Sequence, residues 1–275
     1  MTEQPRFHRS LHGFAAGIMA GGAGVLVGHP FDTLKVSMQV SSGTNLTNPL
    51  SSVNRINKGT SFMSRTMHLY RGILPPLLST GVVQSLNFGV YENIRSFLSP
   101  RSEDPQLWSI TAAAFASGAA TSPLTAIVTK FKLLQQVKGT SVATIVTNIR
   151  ELRPFRFYPV HLILESVGRA VYMTTYVYSK QVVEANGYNN NDFGWRVACG
   201  AISGVVAWTS IYPMDVLRSR LFSGGESVTV SSVAKTMKQD GAMFRGLGFT
   251  LVRAAPVAGV VLTCYDMVLD WIRGI

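Results

Sequence analysis

Long apolar stretches alternate with short polar ones along the 275-residue chain. A helix needs about 20 apolar residues to cross the hydrocarbon core of a membrane. Six stretches reach that length: residues 11–40, 73–98, 107–137, 158–186, 195–222 and 247–272. The segments between them are rich in Ser, Asn, Gly and Pro, as loops are, with shorter helices predicted within residues 51–66, 141–152 and 223–243. The pattern predicts an all-α membrane protein with six transmembrane helices.

A short motif recurs near the ends of the odd-numbered helices: a proline, an acid two residues later and a base three residues after the acid. It is complete twice, as Pro30, Asp32 and Lys35, and again as Pro213, Asp215 and Arg218. The third helix keeps Pro123 but has Thr125 and Val128 in place of the acid and the base. A proline inside a helix removes a backbone hydrogen bond and kinks the helix. We therefore predict three pseudo-symmetric repeats, residues 1–104, 105–192 and 193–275, with a kink at each proline and a degenerate second repeat.

The recurring motif resembles the signature of the mitochondrial carrier family, whose members have three repeats of two transmembrane helices each. The resemblance implies a multi-pass solute carrier of the mitochondrial inner membrane that works by alternating access, as a monomer and without a cofactor. The run from Gly28 to Val36 is most similar to the carnitine and basic amino-acid branch of the family. That similarity implies a cationic or zwitterionic small molecule as substrate. Because the second repeat is degenerate, a non-transporting membrane scaffold or receptor is the alternative.

In the family, the acids and bases of the proline motifs pair between the odd-numbered helices and form a gate on the matrix side. Carried over to this chain, the resemblance leaves one complete pair, Lys35 with Asp215. Asp32 would face Val128 and Arg218 would face Thr125, so we expect the two unmatched charges, Asp32 and Arg218, to pair with each other. Gln39 matches a glutamine that braces this gate in many members.

The even-numbered helices resemble a second family pattern, an aromatic residue and an acid followed three residues later by a base. The charges that match it, which the resemblance places in a gate on the cytoplasmic side, are Glu92, Arg95, Lys180 and Asp266. The family's pairing implies Glu92 with Lys180, and Asp266 with Arg95. The acid and the base that are missing, at Val177 and Leu269, would have formed one pair, so a whole pair is absent. The alternative is that these are ordinary charges at helix ends.

Substrate contacts in the family lie on the even-numbered helices, about a dozen residues before the tyrosine of the second pattern. The matching positions are Ser79 and Thr80, Glu165, and Arg253. Arg169 is a fifth candidate for substrate binding, because it lies four residues after Glu165 and shares its face of the fourth helix. We expect Glu165 to bind the cationic end of a substrate and Arg253 its carboxylate. A structural pair between Glu165 and Arg169 is the alternative.

Composition agrees with a membrane protein that contacts anionic lipid. The chain is 47% hydrophobic and 14% charged, whereas soluble chains carry about 25% charged residues. Its net charge of +11 comes from scattered basic residues, so lipid is expected as a partner and nucleic acid is not. Two short motifs before the second and sixth helices resemble the family's cardiolipin-binding sites, and their residues are Arg71, Gly72, Arg245 and Gly246.

The sequence predicts neither a metal site nor an enzyme. Cys199 and Cys264 each lie within an apolar segment, and no Cys-x-x-Cys motif or His/Cys cluster accompanies them. Such spacing offers no set of metal ligands and no redox pair. We found no phosphate-binding loop and no nucleophile with a base, so transport is the predicted activity.

Overall fold

The structure is a computed structural model. It describes residues 6–40, 70, 73–99, 106–138, 153, 155–223, 228–239, 241–244 and 246–273. Within these ranges, residues 6–11, 32–40, 74–76, 131–138, 223, 242 and 273 are described by their backbone only.

The described residues form seven α-helices and no strand. The helices are α1 (Arg6–Val40), α2 (Leu74–Leu98), α3 (Leu107–Lys138), α4 (Tyr158–Ala185), α5 (Phe193–Ser223), α6 (Val230–Gln239) and α7 (Leu247–Arg273). Six of them are the predicted long helices, and the largest difference is at α1, which begins at Arg6 rather than at residue 11. The short α6 falls within the predicted segment 223–243, and the predicted helices in 51–66 and 141–152 lie outside the described residues.

The six long helices form a closed bundle. Each contacts the next along the chain, α1 with α2, α2 with α3, α3 with α4, α4 with α5 and α5 with α7, and α7 returns to contact α1. Neighbouring helices run antiparallel, because Gly13 of α1 lies against Phe88 of α2 while Gly21, further along α1, lies against the earlier Gly81. The contacts of α3 with α4 and of α5 with α7 follow the same order. The bundle therefore places the carboxyl ends of α1, α3 and α5 at the same end as the amino ends of α2, α4 and α7.

Four of the described helices are long and apolar enough to cross a membrane: His12–Phe31, Leu107–Lys130, Phe193–Phe222 and Leu247–Ile272. Polar side chains that are buried in the bundle lower the mean hydropathy of the other two long helices. On α2 they include Asn87 and Glu92, which are 2% and 1% exposed, and on α4 they include His161, which is fully buried. Large apolar side chains such as Trp271, Phe97 and Trp108 are exposed on the outside, where a lipid bilayer would cover them.

The three prolines of the recurring motif lie inside α1, α3 and α5, and each helix continues on both sides of its proline. A fourth proline, Pro256, lies inside α7 and was not anticipated from the sequence. The threefold equivalence of the kinks at Pro30, Pro123 and Pro213 stays a prediction, and superposition of the three repeats of an experimental structure would test it.

A glycine allows close packing in three helix pairs: α1 with α2, α3 with α4, and α5 with α7. A Cβ atom added to Gly17 would lie 2.7 Å from the Cα atom of Ser85 on α2, and one added to Gly200 would lie 2.8 Å from the Cα atom of Gly259 on α7. Both glycines lie 13 residues before the proline of their helix. In α3 the close approach is at Gly118, five residues before Pro123. α3 and α4 therefore also form a tight helix pair, at a different level relative to the proline of α3.

Gly118 lies directly against the backbone of the fourth helix. An added Cβ atom would be 2.6 Å from the carbonyl oxygen of Glu165 and 2.8 Å from the Cα atom of Ser166. Backbone atoms cannot move aside as a flexible side chain can, so Gly118→Ala must push α3 and α4 apart. We expect this change to destabilise the protein by about 1–3 kcal/mol, seen as a lower Tm in detergent.

Gly194, in the first turn of α5, provides the control. An added Cβ atom there has no neighbour within 4 Å, and alanine favours a helix over glycine by about 1 kcal/mol. Gly194→Ala should therefore leave Tm unchanged or raise it. Equal Tm values for the two variants would contradict the packing role of Gly118.

Candidate functional site

A cavity lies between α2, α3 and α4, at the level of the close contact between Gly118 and Glu165. Its volume is about 230 Å³, and it is lined by Thr80, Val83, Gln84, Thr125, Val128, Thr129, Glu165 and Arg169. Two of the eight residues are charged, with opposite signs, and four more offer hydroxyl or amide groups. The cavity can thus bind a small polar molecule that carries both a positive and a negative group.

Three of the five residues predicted to bind substrate line this cavity: Thr80, Glu165 and Arg169. Ser79 is half-buried beside Thr80 and is not part of the lining. Arg253 does not reach the cavity either. It lies against α1, where a Cβ atom added to Gly28 would be 3.6 Å from its Nη2 atom. The small residue at position 28 leaves room for the Arg253 side chain, so the structure does not bring Arg253 and Glu165 together.

Glu165 pairs with the base of the third proline motif. Its Oε1 atom lies 3.2 Å from Nη1 of Arg218 on α5, and the two side chains are 18% and 13% exposed. Nη2 of Arg218 lies 2.5 Å from Oδ1 of Asp215 in its own helix. The alternative pair of Glu165 with Arg169 is not formed, because the Glu165 carboxylate is directed to α5. Arg169 instead donates a hydrogen bond of 3.2 Å to Oε1 of Gln84 on α2.

His161 connects Arg218 to the degenerate motif on α3. Its Nδ1 atom lies 3.4 Å from Nη1 of Arg218, and its Nε2 atom lies 3.0 Å from Oγ1 of Thr125. An arginine can only donate, so Nδ1 accepts and Nε2 carries the proton of a neutral imidazole. The Thr125 hydroxyl then donates to the Ser122 carbonyl oxygen, at 3.2 Å. The fully buried ring also stacks on Phe222, with 5.9 Å between the ring centroids.

The sequence contained one signal for His161 that was not used. His161 lies four residues before Glu165, so both side chains share the inner face of α4.

Lys130 was also missed: it is buried on α3, donates to the carbonyl oxygen of Phe222 and lies over the Phe222 ring, 5.1 Å from its centroid. These contacts join α3 to α5 near the end of the bundle that holds the proline motifs.

Part of the predicted matrix gate lies outside the described side chains. Asp32, Lys35 and Gln39 are within α1, but only their backbone is described. The pairs Lys35 with Asp215 and Asp32 with Arg218 therefore stay predictions.

The four charges of the predicted cytoplasmic gate lie together at one end of the bundle, but they pair differently from the family's scheme. Lys180 on α4 pairs with Asp266 on α7, with 2.9 Å between Nζ and Oδ2. Glu92 pairs with Arg95 in its own helix, with 2.8 Å between Oε1 and Nη2. The expected pairs, Glu92 with Lys180 and Asp266 with Arg95, are thus wrong for this conformation.

Two aromatic residues account for the changed pairing. The Tyr265 ring stacks on Phe88 of α2, with 4.0 Å between the centroids, and its hydroxyl lies 3.4 Å from Oε2 of Glu92. The next residue of a helix is turned by about 100°, so Asp266 faces α4 when Tyr265 faces α2. The Tyr176 hydroxyl on α4 then donates to Oδ2 of Asp266 at 2.6 Å. These contacts close this end of the bundle between α2, α4 and α7.

A further ion pair at the same end was not predicted. Nη2 of Arg196 on α5 lies 2.5 Å from Oδ2 of Asp270 on α7. Arg196 is buried and also donates to the carbonyl and side-chain oxygens of Asn191 in the preceding loop. Neither residue belongs to a recurring motif, so no pattern marked them. The pair joins α5 to α7 at this end.

Of the predicted lipid-binding residues, the structure describes Gly246 only. Gly246 directly precedes α7 and has a φ of +90°, a left-handed conformation that favours glycine. Its carbonyl oxygen accepts the first-turn hydrogen bond from the backbone nitrogen of Thr250, at 3.2 Å. Arg71, Gly72 and Arg245 lie outside the described residues, and lipid binding stays a prediction.

Comparison with known proteins decides the family. A sequence model of the family described as mitochondrial carrier protein matches residues 8–102 and 189–275. The chain belongs to the mitochondrial carrier family. The matched ranges contain the two complete proline motifs, and the degenerate copy at Pro123 lies between them. The all-α membrane carrier fold inferred from the sequence is thereby confirmed.

Related carriers match along nearly the whole chain. A mitochondrial glycine transporter of Saccharomyces cerevisiae is 29% identical, over 92% of this chain and 89% of the relative. A mitochondrial arginine transporter of Arabidopsis thaliana is 28% identical, over 93% of this chain and 90% of the relative. A mitochondrial basic amino acids transporter of Rattus norvegicus is 30% identical, over 95% and 90%. The chain is therefore a solute carrier of the mitochondrial type.

Proposed function

We propose that this carrier moves an amino acid, or a similar zwitterion with a cationic group, across the mitochondrial inner membrane by alternating access. The observation that carries this proposal is the pair of opposite charges in the cavity. Glu165 and Arg169 both line it, one helical turn apart on α4. An amino acid carries both an ammonium group and a carboxylate, one to match each of these two charges.

In this scheme Glu165 binds the cationic group of the substrate and Arg169 binds its carboxylate. A guanidinium group binds carboxylates well, because it presents several donors in a planar fork. Arg169 replaces Arg253 in this role, because Arg169 lines the cavity and Arg253 lies against α1. Gln84, Thr125 and Thr129 supply further hydrogen-bonding groups along the walls.

The size of the cavity supports a small substrate. Sites for drug-sized ligands have volumes of about 300–1,000 Å³, whereas this cavity has about 230 Å³. A nucleotide carries several negative phosphate charges, whereas the lining of this cavity includes one basic residue, Arg169. The names of the relatives favour the same substrate class, because three of them transport glycine, arginine or basic amino acids. Carnitine also carries a cation and a carboxylate, so it belongs to the same class of candidates.

The remaining assignments follow the family. We propose a multi-pass monomer, with cardiolipin phosphates bound near Arg71 and Gly72 and near Arg245 and Gly246. The amino ends of α2 and α7 are suited to this, because unpaired backbone N–H groups and the helix dipole attract anions.

Uptake into liposomes tests the proposal. Purified carrier is reconstituted and offered labelled L-arginine, L-lysine, glycine, carnitine, a keto acid and ATP in separate assays. We expect uptake of at least one of the first four to exceed that of protein-free liposomes, and no uptake of ATP. A folded, inserted carrier that transports none of the first four would favour the scaffold or receptor alternative.

A further inference from the structure

Arg218 is held on three sides by groups from two helices. Glu165 and His161, both on α4, contact its Nη1 atom at 3.2 and 3.4 Å, and Asp215 of its own helix contacts Nη2 at 2.5 Å. Its Nε atom is buried and makes no hydrogen bond to a described residue. Two carboxylates thus share one cation, and one of the two also lines the cavity.

The degenerate second repeat explains why Arg218 turns to α4. At the position where a complete motif has its acid, α3 has Thr125, which cannot neutralise an arginine. His161 fills the space between Thr125 and Arg218 and contacts both. The nearest acid beyond this histidine is Glu165, one turn further along α4. Glu165 therefore adds a second carboxylate to the one that Asp215 of α5 already supplies to Arg218.

We propose that Glu165 replaces the missing acid of the second repeat, and that the cationic group of the substrate must displace Arg218 from Glu165 in order to bind. This inference rests on the proposed function, because it requires a cationic substrate at Glu165. In the empty carrier, Arg218 is bound to Glu165, the carboxylate that the substrate cation would bind. In the loaded carrier, Arg218 keeps Asp215 and becomes available to a further acid.

Displacement couples binding to the gate on the proline-motif side. Once Arg218 leaves Glu165, the N–H groups on Nη1 and on the buried Nε can donate hydrogen bonds to another acid. The acid that the sequence predicts for it is Asp32 on α1, whose side chain is not among those described, so the pairing of Arg218 after displacement stays a prediction. A ligand can shift a conformational equilibrium only by binding one state better than the other. Release of Arg218 from Glu165 supplies that difference in binding between the two states.

His161 is the positioning residue of this device. Its neutral ring accepts from Arg218 through Nδ1 and donates to Thr125 through Nε2. The ring therefore anchors Arg218 to α3 and favours its place against Glu165. A side chain that cannot accept would leave Arg218 bound by the two carboxylates alone and make it easier to displace.

The test is a comparison of KM and kcat, with the best substrate of the liposome assay as probe. Arg218→Gln removes the competing cation, so the substrate binds Glu165 without displacing anything. We expect KM to fall about tenfold, the equivalent of one hydrogen bond to a charged group. We expect kcat to fall as well, because the gate has lost its base. A purely structural role of Arg218 would leave KM unchanged or raise it, and that result would overturn the inference.

Variants of His161 test its positioning role, with Tyr158 as the matched control. His161→Leu should lower KM in the same direction as Arg218→Gln but by less, whereas His161→Asn keeps an acceptor near Nδ1 and should stay near the original KM. Tyr158→Phe removes another hydrogen bond between α3 and α4, from the Tyr158 hydroxyl to Ser122 at 2.6 Å, without touching Arg218. Its KM should be unchanged. An equal change of KM in Tyr158→Phe and His161→Leu would show that His161 acts only through packing between α3 and α4, and would contradict its positioning role.

Two further results separate this inference from the proposed function. If Glu165→Gln transports normally, the proposed function fails. If Glu165→Gln is inactive and Arg218→Gln has an unchanged or higher KM, only the displacement fails.

A measurement of Tm in detergent, without any substrate, tests the ion pair by itself. The double variant of Glu165→Gln and Arg218→Gln should lose less Tm than the sum of the two single variants, because both single variants lose the same ion pair and Arg218→Gln alone also leaves Glu165 without its cation. Additive losses would show that the pair is not formed.

Discussion

Replacing Glu165 by glutamine is expected to lower the rate of substrate uptake about 100-fold or more, because the change removes both the carboxylate for the substrate cation and one side of a partly buried ion pair, and a loss of about 2.7 kcal/mol is 100-fold. Glutamine has nearly the same shape as glutamate, so the cavity keeps its walls. The change removes the negative charge that Arg218 contacts at 3.2 Å and that the substrate cation would use. Glu165→Gln therefore affects both the binding of the substrate and the charge balance of the empty site.

The measurement is initial uptake into liposomes, normalised to the amount of folded, inserted carrier. Glu184→Gln is the matched control: it is the same change in the same helix, at an exposed residue that accepts a hydrogen bond from Asn190. Uptake by this control should be close to that of the unchanged carrier. Normal uptake by Glu165→Gln would sink the cationic-substrate hypothesis and, with it, the similarity to basic amino-acid carriers as a guide to this chain.

The local alternative makes a different prediction for Arg169. If Glu165 served only to pair with Arg169, then Arg169→Gln would lower transport and Tm as much as Glu165→Gln does. In the structure Arg169 donates to Gln84 and Glu165 pairs with Arg218. We therefore expect Arg169→Gln to raise KM for a substrate with a carboxylate while Tm changes less than in Glu165→Gln.

The helices of this protein could be predicted from the sequence because membrane-spanning length leaves a strong pattern. Apolar runs of 25 residues and more end at polar loops, and five of the six predicted helices agree with the structure within two residues at each end. The proline motif indicated the family, and the comparison with known proteins confirms it. Pro256 was missed because it belongs to no recurring motif, although it lies inside α7.

The site could be predicted only in part, because its contacts depend on which way each side chain is directed. Spacing along one helix placed Glu165 and Arg169 on one face, and both line the cavity. The same counting put Arg253 at an equivalent level of α7, yet its side chain lies against Gly28 of α1. A threefold pattern also assumes three complete copies. Without an acid at Thr125, Arg218 turned to another helix, and His161 took a place that no family motif marks.

The ion pair between α4 and α7, at the predicted cytoplasmic gate, is expected to give the second large effect. Lys180 and Asp266 pair at 2.9 Å across the bundle, and their side chains are 18% and 19% exposed. Lys180→Asp would place two carboxylates at this distance, and Asp266→Lys would place two ammonium groups there. Each single variant should lose at least about tenfold in uptake, because a like-charge pair prevents this end from closing and partly buried charges interact by about 1–3 kcal/mol.

The double variant, Lys180→Asp with Asp266→Lys, restores the pair with its charges exchanged. Uptake should recover to well above that of either single variant. Lys235→Asp, the same charge reversal at an exposed residue of α6, controls for the change in net charge and should transport normally. A double variant no better than the worse single variant would contradict the functional role of this pair.

The same experiment decides between the observed pairing and the one expected from the family. If Lys180 met Glu92 in the closed gate, then Lys180→Asp would be rescued by Glu92→Lys rather than by Asp266→Lys. In the structure, Glu92 contacts Arg95 and the Tyr265 hydroxyl, whereas Asp266 contacts Lys180 and the Tyr176 hydroxyl. Rescue by Asp266→Lys alone is therefore the expected result. Rescue by Glu92→Lys alone would mean that the family's pairing is the one that closes the gate during transport.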